Sequence, residues 1–171
     1  MQAGRHTRPA IVYNCDMEKH TPFFNLEKAT LSDLNQLSEM EKICFPIDAW
    51  PLLERIGALI LPGCVRIKAV YIDKMIGFIG GDIRRFSGTG WISTISVLPE
   101  YRRMGVGEAL LRAAEQEMGM PKVKLAVRKS NLDAQKLYLK NGYSKIETWP
   151  NYYQGGEDAV VMLKNVQIGN A

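Results

Sequence analysis

Read only as apolar and polar positions, the chain switches repeatedly between a period of two and a period near 3.6, the marks of strand and helix. "FFNLEKAT", residues 23–30, predicts a short strand. Thr30 or Ser32 can then cap a helix to about Ile43, with Leu34, Leu37, Met40 and Glu41 at helical spacing. Pro46 in "CFPIDAWP" breaks that helix, and a second is expected near Pro51–Leu61. "CVRIKAVYI", residues 64–72, alternates and is β-branched; Asp73 and Lys74 turn the chain, and "MIGFIGGDIRR" pairs back as a hairpin. Gly80 and Gly81 predict a bulge or a close backbone approach. "GWISTISVL", residues 90–98, is the next strand, stopped by Pro99. A helix from about Met104 to Met118 gathers Val106, Ala109, Leu110 and Ala113 on one face. "KVKLAVR" follows as a short buried strand, and Asn131 caps "LDAQKLYLKNGY", which Gly142 ends. "SKIETW" and "DAVVMLKNV" close the chain as two strands around a loop, "PNYYQGGE". The order is that of one mixed α/β domain, without repeat or linker.

The 171 residues suit a single full-sized core. A net charge of +4 can favour a polyanionic ligand but is too small to indicate nucleic acid. Cys15, Cys44 and Cys64 are odd in number and far apart, and no Cys/His cluster has metal-site spacing. The chain therefore reads as a reduced, cytoplasmic protein with no structural metal. Its most apolar run, "IGALILPGCV", is too short to span a bilayer, so no membrane partner is expected. Residues 1–21 are charged and lack a signal-peptide core; they are expected to be an extension ahead of a domain at 22–171.

The chemistry concentrates in "VLPEYRRMGVGEALLRAAEQE", residues 97–117. Two arginines and a Gly-x-Gly separate a strand exit from a helix start. The first amides of a helix lack intrahelical acceptors and carry the positive end of its dipole. Glycines let a ligand approach the backbone, so Arg102, Arg103 and the turn can cradle a diphosphate or can be no more than a tight turn. A Walker loop would need Gly-Lys-Ser/Thr, and a dinucleotide fingerprint would need a small residue where Leu110 stands.

The run Arg102-Arg103-Met104-Gly105-Val106-Gly107 resembles the Gln/Arg-x-x-Gly-x-Gly/Ala signature of the GNAT acetyltransferase superfamily, and "LAVRKSNLDAQKLYLKNGY" resembles that family's next strand and helix. "EKICFP", "VRKSNLDAQKLYLKNGY" and "NYYQGGEDAVVML" are most similar to the ribosomal-protein alanine and other protein N-terminal acetyltransferases. The resemblance implies a single GNAT-like α/β (α+β) domain, its mixed, mostly antiparallel central sheet flanked by about four helices. It implies acetyl-CoA as cofactor and a protein or peptide N-terminus as acceptor. Ile95, Ser96 and Val97 would run beside the pantetheine. Arg102, Arg103, Met104, Gly105, Val106 and Gly107 would hold the pyrophosphate, and Asn131 and Tyr138 would add cofactor contacts. Tyr138 would be the general acid to the leaving sulfur, although its helical spacing also fits plain core. Phe45, Pro46, Tyr152 and Tyr153 would line the peptide site.

One position departs from that pattern. The relatives' general-base glutamate falls on Ala126 in "Leu125-Ala126-Val127-Arg128". His6 and His20 sit in the N-terminal extension, so a histidine base is not expected; Glu41, near the expected substrate loop, is the leading replacement, the alternatives being a solvated helix carboxylate, a water relay or no base. An α-amine titrates near 8 and a lysine near 10.4, so about a tenth of the former and under about a thousandth of the latter is neutral at pH 7. A missing base thus favours an α-amine acceptor. A small free amine such as a polyamine, amino acid or aminoglycoside is the alternative substrate class. A non-catalytic CoA-binding module is the alternative of another kind.

Overall fold

The computed structural model describes residues 23–48 and 51–167; the expected extension, with His6, Cys15 and His20, lies outside the described residues. Seven strands follow the predicted order: β1 (Asn25–Lys28), β2 (Cys64–Tyr71), β3 (Lys74–Arg84), β4 (Thr89–Val97), β5 (Lys122–Arg128), β6 (Ser144–Tyr153) and β7 (Glu157–Asn165). Four helices accompany them: α1 (Leu34–Cys44), α2 (Leu52–Ile60), α3 (Val106–Met118) and α4 (Leu132–Lys140). The sheet order is β1-β2-β3-β4-β5-β7-β6. Every pairing is antiparallel except β4 with β5. That parallel step is the one made through a crossover helix, as a parallel connection requires.

The two sheet faces have separate cores. On one face Val106, Leu110, Ala113 and Ala114 of α3 bury against Ile76, Ile79 and Leu125, together with Tyr138 of α4. Leu37 and Met40 of α1 and Leu59 of α2 pack on Met75 and Phe78 on the other. At Gly77 a Cβ would come within 2.9 Å of Leu110 and 3.0 Å of Val106, so the glycine lets α3 lie close on β3. Among the described residues, no helix is long and apolar enough to cross a membrane.

Local signals acted as their chemistry dictates. Thr30 and Asp33 form a capping box, with Thr30 N–H donating to Asp33 Oδ2 at 2.8 Å. Asn131 Oδ1 accepts from the Ala134 amide at 3.1 Å and caps α4. The pairing of β3 with β4 shifts register between Gly80 and Gly81, which is the expected bulge. Two boundaries differ from expectation. Helix α3 starts at Val106 rather than Met104, because Gly105 adopts φ +84° and ends the turn as the N-cap. Strand β6 runs on to Tyr153 through an irregular register with Asn151 at φ +52°, so the expected loop "PNYYQGGE" is narrowed, with Tyr153 pairing with Glu157.

Candidate active site

Parallel strands β4 and β5 stay paired only from Thr89↔Lys122 to Ile92↔Leu125. Beyond that point β4 remains bonded to β3 as far as Val97, while β5 stays with β7 as far as Arg128. The two strands therefore diverge, and Ser93–Val97 present backbone without a β5 partner. Ile95, Ser96 and Val97, the residues expected beside a pantetheine, all lie on this stretch. Ile95 and Val97 pack toward the α3 face, and Thr94 and Ser96 are buried on the other.

The glycine turn stands at the end of the same strand. Arg103 and Gly105 both have positive φ, +61° and +84°. No atom lies within 4 Å of a Cβ added at Gly105, so its glycine answers to backbone conformation and not to crowding. The amides of Val106, Gly107 and Glu108 open a helix of 13 residues and have no intrahelical acceptor. Together, the opened strand edge and this helix start suit an extended ligand ending in a diphosphate. Arg102 is bent back, its Nε donating to Val97 O at 3.1 Å. The same carbonyl accepts from Cys44 Sγ at 3.5 Å. Met104 is half exposed.

Tyr138 is 4% exposed, and its ring lies 5.9 Å from that of Tyr143. Burial, with the neighbouring Tyr153 phenol, pushes its hydroxyl well above the usual tyrosine range. It therefore keeps its proton at neutral pH. Glu41 is 1% exposed on α1, with Thr94 Oγ1 donating to its Oε1 at 3.4 Å. Its carboxylate faces β4 at Thr94.

Across the sheet, a groove of about 580 Å³ runs between α2 and the β6–β7 hairpin. Leu53, Ala58 and Leu61 form one wall; Asp82, Trp91, Ser93 and Tyr152 belong to the floor and the other. Of the four expected acceptor residues only Tyr152 lines it. Phe45 and Pro46 stand in the turn after α1, and Tyr153 lies under Arg128, 4.6 Å from the guanidinium carbon to the ring centre. Burial raises the Tyr153 hydroxyl to about 12.

Arg128 ties the site together. It donates to Asp48 of the α1–α2 loop (Nε at 2.7 Å), to Glu157 at 2.5 Å and to Gln154 O at 3.1 Å. Burial opposes its charge, but the two carboxylates outweigh burial and raise its pKa. Hydrogen bonds from Ser130, and then Arg128, hold the Glu157 carboxyl down to about 2. Sequence reasoning missed Arg128, Asp48, Trp91 and Trp149 as site residues. Alternation along β4 could have flagged Trp91, but no local signal gives the partners of Arg128.

Residues 31–143 match the acetyltransferase (GNAT) family. An N-alpha-acetyltransferase of Saccharolobus solfataricus is 29% identical over 155 residues, spanning 82% of this chain and 92% of its own. The crystal structure of the ribosomal-protein alanine N-acetyltransferase of Escherichia coli superposes with a TM-score of 0.77 at 24% identity, covering 86% of this chain and 96% of that one. Arabidopsis thaliana NAA60 in complex with acetyl-CoA superposes with a TM-score of 0.75 at 20% identity, covering 84% and 99%.

Proposed function

The chain belongs to the acetyltransferase (GNAT) family and is an acetyl-CoA-dependent acyltransferase; from that footing we propose that its acceptor is the N-terminal α-amine of a protein or peptide. Acetyl-CoA supplies an activated acetyl thioester. Backbone groups of Ile95–Val97 would hold its extended arm, and the amides from Arg103 to Gly107 its diphosphate. Asn131 caps the helix that carries Tyr138, and the Tyr138 hydroxyl holds the proton needed at the leaving sulfur. Glu41 is buried on α1 and accepts from Thr94 Oγ1 of β4. Removing its carboxylate is therefore expected to cost less turnover than removing the Tyr138 hydroxyl.

The observation that carries the acceptor assignment is the groove between α2 and the hairpin, which meets β4 at Ser93, where the strands begin to part. A peptide can lie in it with its first residue at the cleft. Ala126 offers no base there, which suits an amine already partly neutral at pH 7. Similarity to an N-alpha-acetyltransferase over four-fifths of the chain supports the same reading. Cys44 and Cys64 are free thiols, in keeping with a cytoplasmic setting. Glu54 and Asp82 in the groove favour one second reading, a free polyamine acceptor. Release of CoA with a peptide panel beside a free-amine panel separates the two. Turnover confined to polyamines, amino acids or sugars would replace the peptide assignment.

A further inference from the structure

We propose that an indole stack of Trp91 and Trp149, laid across Ala126, is the specificity wall of the acceptor groove and selects acceptors whose first residue is large and apolar. This rests on the α-amine reading above. The carrying observation is a matter of register. Lys124, Ala126 and Arg128 alternate onto one face of β5, and Arg128 shows that it is the face toward the α1–α2 loop. Trp91 of β4 pairs with Lys124. Trp149 of β6 pairs with Ala159 of β7, which pairs with Arg128. The two tryptophans thus start on strands that flank β5 and β7, four residues apart along β5. Their rings nevertheless meet, with centres 5.7 Å apart and planes 10° from parallel. The path between them crosses the middle of that interval, where Ala126 pairs with Val161.

Alanine at 126 and the indole pair therefore form one arrangement. By register, a side chain at 126 shares the sheet face from which both indoles rise. Glu147 pairs with Val161 on the same face, and its carboxylate accepts from Trp149 Nε1, which fixes the ring. Tyr152 continues the wall, 5.2 Å from Trp149. Leu53, Ala58 and Leu61 face it across the groove. Between two apolar walls a methionine, leucine or phenylalanine side chain displaces water from both, whereas alanine or serine leaves the indoles wet. Glu54 lines the same groove, while the Asp82 carboxylate accepts from Arg84 Nε at 2.7 Å. The Arg84 guanidinium already lies over Trp91 at 5.0 Å, so this aromatic surface accepts a cation.

The test is steady-state kinetics on peptides that differ only in the first residue: methionine, leucine or phenylalanine against alanine or serine. Wild type is expected to favour the bulky set by about 10-fold or more in kcat/KM, mainly through KM. Trp149→Ala should collapse that ratio to about 3-fold or less by raising KM for the bulky set. Trp149→Phe should keep most of the preference. Leu53→Ala, on the opposite wall, should lower the same ratio without touching the stack. A wild-type preference for alanine or serine overturns the proposal and leaves α-amine acetylation intact. An unchanged ratio in both Trp149→Ala and Leu53→Ala does the same. Absence of turnover on every peptide overturns the α-amine reading and the proposal with it.

Discussion

Replacing Arg128 with methionine keeps an unbranched stem and removes the guanidinium that joins three segments. The losses are the bonds to Asp48 and Glu157, the bond to Gln154 O, and the contact with the Tyr153 ring. A hydrogen bond to a charged group contributes about 1.5–3 kcal/mol net. The Arg128 side chain keeps 22% of its surface exposed, and its partners keep 23% and 28%, so water takes over part of the lost interactions. A net loss of about 2–3 kcal/mol follows, including the repulsion between two carboxylates left facing each other. With a urea dependence of about 2 kcal/mol per molar, the unfolding midpoint should fall by roughly 1–1.5 M. The acceptor site should loosen too, because the α1–α2 loop and the hairpin lose their common anchor. KM for a peptide is expected to rise while acetyl-CoA affinity holds. Arg128→Lys should recover little, since an ammonium cannot reproduce the planar fork. A midpoint within about 0.2 M of wild type, together with an unchanged peptide KM, would refute the latch.

Other perturbations separate the remaining parts. Tyr138→Phe should lower turnover about 10²-fold with little change in cofactor affinity; near-intact turnover would make Tyr138 packing alone. Acetyl-CoA at a hundredfold excess over its dissociation constant should stabilise the fold by about 2.7 kcal/mol, and Gly105→Glu should abolish that shift by setting charge and a side chain at a φ of +84°. Glu157 has a folded-state pKa of about 2, below the ordinary carboxylate value of 4.5, so its contribution to stability is complete above pH 4.5 and lost as pH falls through 2. The stability difference between wild type and Glu157→Gln should therefore shrink from pH 4.5 to 2; a difference that grows on acidification would reverse the assignment.

What could be read along the chain follows the range of the forces involved. The cap at Thr30, the Asn131 cap and the Gly80–Gly81 bulge are local, and each was legible; the left-handed Gly105 was not, and the helix was expected from Met104. The family signature could be read for the same reason, being six consecutive residues. Long-range partnerships were not legible. Arg128 is one letter of a motif until the fold brings Asp48, 80 positions away, into its reach. The Trp91–Trp149 stack depends on the registers of two strand pairs at once. Glu41 looked available on a helix face, but the sheet covers it and leaves it 1% exposed.

The central claim is acetyl transfer from acetyl-CoA to an N-terminal α-amine without a strong base at position 126. Its most direct measurement uses two peptides of one sequence, one with a free α-amine and a blocked lysine, the other the reverse. Acetylated product is followed by mass spectrometry from pH 6 to 10. The free α-amine peptide is expected to react far faster at pH 7.5, with a rate that rises and levels off near the amine's own pKa, about 8. Equal rates on the two peptides, or faster acetylation of the lysine, would contradict the claim.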